Sequence, residues 1–212
     1  TIHSFFQLPF APFIPETLYR TNDKKQSQQY RFSKEKIKII RSIDLLVIDE
    51  ISMVRADLLD AIDEILRRYR NRHKTFGGVQ LLMIGDLQQL APVVREEEWK
   101  LLQQHYDTPY FFSSHALQQS KYYTIELTTV YRQHDENFLR LLNCIRDNNV
   151  DKMVIQTLNA CYKPNFIPKP KDGFIRLVTH NIQAQSINNA ELALLKKPIH
   201  TLGPTCTHTI KH

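Results

Sequence analysis

The stretch that most restricts the fold is residues 45–54, Leu45-Leu46-Val47-Ile48-Asp49-Glu50-Ile51-Ser52-Met53-Val54, an apolar run broken by two adjacent carboxylates. A short unbroken run of Leu, Val and Ile predicts a strand buried on both faces, as at the centre of a parallel sheet covered by helices. Ionised acids do not persist there, so Asp49 and Glu50 are placed where the strand leaves the sheet. In open α/β sheets the carboxyl ends of the strands are where ligands bind. Two carboxylates at such an edge can divide the work, one holding a hydrated divalent cation and the other taking a proton from water.

A second apolar run, residues 79–84, predicts a second buried strand. It leaves the sheet through Gly85-Asp86-Leu87-Gln88-Gln89-Leu90-Ala91-Pro92-Val93. A glycine at a strand exit lets backbone approach a ligand closely, and a glutamine can donate to a phosphate oxygen while orienting a water. Between the two runs, Leu58, Leu59, Ile62, Ile65 and Leu66 recur at helical spacing, predicting a helix over 55–70. Its acids come early and its arginines late, which suits the helix dipole. The basic cluster Arg67, Arg68, Arg70, Arg72, His73 and Lys74 reads as a solvated helix end in preference to a DNA-phosphate contact.

Elsewhere the pattern is coarser. Thr1 or Ser4 can cap a helix at the start, after which Pro9, Pro12 and Pro15 forbid regular structure. Residues 17–30 are polar and read as an irregular surface excursion, and Ser33 caps a helix over 34–41. Further helices are expected over 96–106, 113–119, 135–146, 150–162 and 181–197, the 135–146 helix presenting Phe138, Leu139, Leu142 and Ile145 on one face. Strands are expected over 122–128 and 174–179, a proline-rich loop over 163–173, and the last fifteen residues carry no signal.

The chain's 212 residues suffice for one large domain or two modest ones. A net charge of +6 points toward a polyanionic partner such as nucleic acid. Cys144, Cys161 and Cys206 are widely spaced and never in CxxC, which signals neither a disulfide framework nor a zinc knuckle and suits reduced, intracellular thiols. Neither a membrane-spanning run nor a signal peptide is visible, so no membrane partner is expected. The sequence opens at Thr1 without methionine and reads as a piece of a longer protein. None of its five glycines begins a GxxxxGK[ST] phosphate cradle, so that cradle is absent from the sequence.

Two buried strands ending in carboxylate and glutamine chemistry, joined by one amphipathic helix, match the layout of a RecA-like motor, and the first resembles a Walker B strand. Four segments resemble superfamily-one DNA helicases of the petite-integration-frequency (PIF) type, with RecD-like enzymes as near relatives. These are Thr1-Ile2-His3-Ser4-Phe5-Phe6 (motif Ia) and Val47-Ile48-Asp49-Glu50-Ile51-Ser52-Met53 (motif II), then Phe76-Gly77-Gly78-Val79-Gln80-Leu81 leading into the Gly85-to-Val93 stretch (motif III), and Leu127-Thr128-Thr129-Val130-Tyr131-Arg132-Gln133 (motif IV). The resemblance covers about residues 1–195. It implies an α/β P-loop NTPase fold with helices flanking a parallel sheet: a first RecA-like domain over 1–120 without its P-loop strand, and the start of a second over 121–212.

The resemblance also assigns roles. Asp49 would hold Mg2+ and Glu50 would be the general base on the attacking water; Gln89 would sense the γ-phosphate of ATP, and Arg132 would act as an arginine finger. Thr1, His3, Ser4, Phe5 and Pro92 would line the path of single-stranded DNA. Taken alone, Arg132 could equally pair with Asp135 or Glu136, and of Phe5 and Phe6 one is expected in the core. The implied activity is ATP-driven translocation, 5′ to 3′, with unwinding at duplex junctions, in DNA repair or recombination. The implied location is intracellular, at the nucleoid in a bacterium. By itself the segment would lack ATPase activity, and a sheet with an open edge would favour self-association. One alternative is a nucleotide-regulated DNA-binding module without turnover. Another is a metal-dependent nuclease, which needs a further converging carboxylate besides Asp86.

Overall fold

The computed structural model describes residues 1–14, 32–168 and 172–195; the expected 17–30 excursion and the final fifteen residues lie outside these. The chain divides into two compact units, Thr1–Asn149 and Val150–His212. The boundary placed near residue 120 by the resemblance falls inside the first of them.

Helix α1 (Ile2–Phe6) starts where Thr1 accepts a hydrogen bond from Ser4 N–H at 3.3 Å, and it buries Phe6. Helix α2 (Lys34–Ser42) is capped by Ser33, whose Oγ accepts from Lys36 N–H at 3.2 Å, and its Ile40 is fully buried. Strand β1 (Leu45–Ile48) then runs into α3 (Ala56–Tyr69), which returns the chain to β2 (Gln80–Met83). The strands are parallel, pairing Leu45 with Gln80 through to Ile48 with Met83. Helices α4 (Glu96–Leu102), α5 (His115–Gln118) and α6 (Glu136–Arg146) complete the first unit. Ser114 and Asp135 cap the last two as short polar side chains should. In the second unit, α7 (Lys152–Ala160) is capped by Asp151 and followed by α8 (Asn181–Ala193).

The core is built around α3. Leu59, Ile62, Ile65 and Leu66 lose all but about 1% of their exposure against Phe6, Ile40, Ile48, Ile51, Phe76 and Leu117. Each such side chain contributes about 1.5–3 kcal/mol of apolar burial. The other buried residues of the helix are Ala56, Ala61 and three aspartates. Asp57 accepts from Phe13 N–H at 2.9 Å and from both Arg55 Nε and Nη2, so it ties the proline-rich segment to the helix. Asp60 accepts from Tyr106 Oη at 2.9 Å, Ser114 Oγ at 2.6 Å, His115 N–H at 3.0 Å and Ala116 N–H at 2.9 Å. Asp63 accepts from Arg67 Nε at 2.7 Å and from Phe76 N–H; burial pushes its carboxyl above the usual range while those two donors pull the other way. The early acids of this helix, read as dipole complements, are therefore buried anchors for three other segments. Tyr106, buried against Asp60, has its hydroxyl pushed far above its ordinary pKa.

The basic cluster at the end of α3 is partly structural too. Arg70 Nη1 donates to the carbonyls of Ile40, Arg41 and Ile43, and Arg41 Nε donates to Tyr69 O at 3.1 Å. Each of the two helices thus has its last carbonyls closed by an arginine of the other. Arg72, His73 and Lys74 are exposed.

Two expectations are corrected, and a third element forms without a partner. The β1–β2 sheet is covered on one face only: Leu46, Ile48, Leu81 and Met83 turn inward, while Leu45, Val47, Leu82 and Ile84 remain 45–50% exposed. Among the described residues α3 and its loops supply a single covering layer, where a doubly apolar strand calls for two. The strands expected over 122–128 and 174–179 are absent, and Tyr123, Ile125, Leu127, Ile175 and Leu177 are 83–96% exposed. A strand exists only with a ladder partner, and the described residues give these segments none. On α6 the apolar face forms as spaced, but Phe138, Leu142 and Ile145 stay exposed and no residue of the helix is buried.

Replacing Asp60 by Ala leaves four donors without their acceptor, two of them N–H groups at the start of α5. We expect a loss of about 3–5 kcal/mol in urea unfolding of the chain, with Asp60→Asn recovering part of it.

Candidate active site

The exits of β1 and β2 are stitched together. Ile84 N–H donates to Ile48 O at 2.9 Å and Ile84 O accepts from Ile51 N–H at 2.9 Å, so a single residue of the second exit is bonded on both sides of Asp49 and Glu50. The two carboxylates are thereby held out of the ladder, and both are exposed. Glu50 adopts a left-handed conformation, φ 52° and ψ 45°, at the start of a short helical turn, Ile51–Met53. That conformation costs a non-glycine residue about 1–2 kcal/mol. It is held by the Ile51–Ile84 bond, by Met53 N–H on Glu50 O at 3.0 Å, and by Asp49 Oδ1 accepting from Glu50 N–H at 2.9 Å. Ser52 is buried beside it, its Oγ without a hydrogen-bond partner among the described residues.

Gly85 explains how closely the exits approach. A Cβ built there would lie 2.9 Å from Ile51 Cγ2 and 3.0 Å from Ile51 N, so only glycine lets the second strand exit pass against the turn carrying Glu50. Beyond it, Asp86 organises the loop. Its Oδ1 accepts from Gln88 N–H at 3.0 Å and its Oδ2 from Gln89 Nε2 at 3.1 Å, while Gln89 N–H closes onto Asp86 O at 3.1 Å. The bonds from Gln88 and Gln89, with a smaller contribution from the Arg146 guanidinium, hold the Asp86 carboxyl below its usual range. Arg146, from the end of α6, donates to Gln88 Oε1 and lies 3.4 Å from Asp86 Oδ1. No local pattern marked Arg146, because its partners are some sixty residues away.

The structure brings Asp49, Glu50 and the Gln89 loop together at one sheet edge. Arg132 is exposed, and among the described residues it makes no ion pair with Asp135 or Glu136. Asp135 is instead occupied as the cap of α6, accepting from Phe138 N–H at 3.0 Å. At the N-terminus, Thr1 and Ser4 are exposed, His3 stacks on Phe10 with centroids 4.9 Å apart, and Pro92 is buried. Phe6 is in the core, as one of the phenylalanine pair was expected to be. Phe5 is half-buried, edge-on to Phe6, with the Lys36 ammonium 3.5 Å from its ring centroid, a cation–π contact at the helix surface.

Among the described residues no three or more His, Cys, Asp and Glu side chains converge as an all-protein metal cage. Magnesium does not need one, since it is commonly held by one or two carboxylates together with water and substrate phosphates. Asp49 and Glu50, exposed and adjacent at the strand exit, fit the metal and water side of a triphosphate site. No helix among the described residues is long and apolar enough to cross a membrane.

Comparison with known proteins agrees with this geometry. The model of the PIF1-like helicase family matches residues 1–155. An ATP-dependent DNA helicase PIF1 of Saccharomyces cerevisiae is 32% identical over 203 residues, covering 94% of this chain and 21% of the yeast protein. The Bacteroides Pif1 helicase crystallised with ADP-AlF3 and single-stranded DNA superposes with a TM-score of 0.80 at 34% identity, covering 94% of this chain and 44% of that one. A structure described as two coordinating Pif1 helicases unwinding forked duplex DNA gives 0.78 at 35% identity, over 91% of this chain and 43% of that one. The chain thus spans about a fifth of the yeast relative and less than half of the solved ones.

The left-handed backbone at Glu50 yields a prediction of its own. Glu50→Gly removes the strain, and we expect thermal unfolding to show a gain of about 0.5–1 kcal/mol even though the carboxylate is lost.

Proposed function

The chain belongs to the PIF1-like helicase family, and we propose that it forms part of the motor of an ATP-dependent DNA helicase that translocates 5′ to 3′ on single-stranded DNA and opens duplex junctions. The observation carrying this reading is the stitched pair of strand exits, which sets Glu50 beside the loop that carries Gln89. Nucleotide use is supported by relatives named as ATP-dependent helicases and by the ADP-AlF3 complex of the Bacteroides protein. DNA as partner is supported by the single strand and the forked duplex in those relatives' structures.

In this reading Asp49 would hold a magnesium ion, which would neutralise phosphate charge. Glu50, exposed and fixed in direction by its backbone, accepts the proton of the attacking water. Gln89 uses one side of its amide on a phosphate oxygen. Arg132, exposed and uncommitted to Asp135, is available to meet the charge that develops on the phosphoryl group. On the DNA side, Thr1, His3, Ser4 and Phe5 form an exposed or half-exposed helix end whose hydroxyls suit phosphates and whose rings suit bases, while Pro92, being buried, has no surface for direct contact with the strand. The setting proposed for such a motor is intracellular, at the chromosome, where the free thiols Cys144 and Cys161 remain reduced.

The test is ATP hydrolysis by the full-length protein carrying this chain, with and without single-stranded DNA. We expect turnover that DNA stimulates and that Glu50→Gln reduces by about 10²-fold or more, with DNA binding retained. DNA binding without any turnover in the unsubstituted protein would favour a nucleotide-regulated binding module instead.

The uncovered sheet face and the open edges of β1 and β2 also support self-association of the isolated chain, through contact between copies. Sedimentation velocity across a hundredfold concentration range is expected to show a rising mean mass, and Val47→Lys, on the uncovered face, to suppress it. A monomer throughout would remove this reading.

A further inference from the structure

Helix α6 ends at Arg146, outside all four motifs, yet its guanidinium rests on the loop that holds Gln89. Nε donates to Gln88 Oε1, and Nη2 lies 3.4 Å from Asp86 Oδ1. The other oxygen of the same carboxylate accepts from Gln89 Nε2 at 3.1 Å. An ionised carboxylate offers about four acceptor positions over two oxygens, so Asp86 can serve arginine and glutamine together. With Nε2 committed to Asp86, the amide is oriented. One N–H stays free for a phosphate oxygen, and Oε1 faces away from the carboxylate as an acceptor for a water proton.

We propose that Arg146 is a positioning residue for the hydrolytic step, setting Gln89 through Asp86 and Gln88 so that its amide presents one donor to phosphate and one acceptor to the attacking water. This rests on the helicase reading of Gln89 given above. The contact contributes little to folding. The Arg146 side chain is 50% exposed, exposed ion pairs are worth little, and α6 buries no residue. Its consequence lies instead in coupling. Residues 121–135, which join α6 to the rest of the unit, hold neither helix nor strand. A displacement of α6 would withdraw the guanidinium from Asp86 and Gln88 and release the amide of Gln89. Arg146 therefore gives α6 a route to the γ-phosphate sensor that does not pass through Arg132.

The test is a double-mutant cycle in the full-length protein, reading DNA-stimulated ATP hydrolysis. Arg146→Ala is expected to lower kcat about tenfold while KM for ATP and the melting temperature stay near those of the unsubstituted protein. Gln89→Ala is expected to lower kcat further, and adding Arg146→Ala to it to cost nothing more, because Arg146 acts only through that amide. Arg146→Lys, which keeps the charge but cannot reach both partners, falls between. Independent effects that multiply in the double variant, or an Arg146→Ala kcat equal to that of the unsubstituted protein, overturn the inference and leave the helicase reading standing. Absence of DNA-stimulated hydrolysis in the unsubstituted protein overturns both.

Discussion

A carboxylate taken out of water must be surrounded by donors or it destabilises the fold, and α3 carries three, Asp57, Asp60 and Asp63, on the side its apolar residues leave free. Because each is satisfied by a different stretch of chain, the helix fixes the segment around Phe13, the start of α5 with Tyr106, and the turn at Phe76. That last turn sets where β2 begins. Phe76 has φ 50°, Gly77 has φ 62°, and a Cβ on Gly77 would stand 2.5 Å from Leu66 O. The register of β2 on β1 follows from this docking, and with it the meeting of the two strand exits. The edge that carries Asp49 and Glu50 thus depends on polar bonds made by the aspartates of the helix that joins the strands.

What was legible in the sequence divides along physical lines. Helix existence was readable wherever spacing or a cap signalled it. Thr1, Ser33, Ser114, Asp135 and Asp151 all cap as short polar side chains ahead of apolar-periodic runs, and α3 and both strand cores lie where the apolar residues put them. The two motif-bearing exits were readable because acids and glutamine directly after an apolar strand have few alternatives. Long-range polar contacts were not. Asp57, Asp60 and Asp63 looked like ordinary first-turn acids, although their three-residue spacing continuing past the first turn was a usable sign that one whole side of α3 was charged and still needed partners. Arg146 had no such sign.

The strands that failed to form carry the patterns of strands that would, alternation over 122–128 and an apolar run over 174–179, and among the described residues they lack neighbours. Apolar pattern states what a segment needs, while the sheet it would join decides whether it gets it. The same holds for β1 and β2, whose sequence is apolar on both faces and whose outer face, Leu45, Val47, Leu82 and Ile84, stays half exposed.

Glu50 shows why local rules yield at the site itself. A glutamate is a poor choice for a left-handed position on propensity alone, and an asparagine or glycine would sit there with less strain. In the proposed motor this position has to accept a proton from water, which neither asparagine nor glycine can do, and the left-handed turn lets the chain leave β1, expose two adjacent acids, and return to bond Ile84 within three residues. The cost falls on the backbone and is met by hydrogen bonds from the neighbouring exit. Gly85 makes that neighbour close enough to supply them. Strain at Glu50 and absence of a side chain at Gly85 are thus two halves of one arrangement, and a change at either is felt at the other.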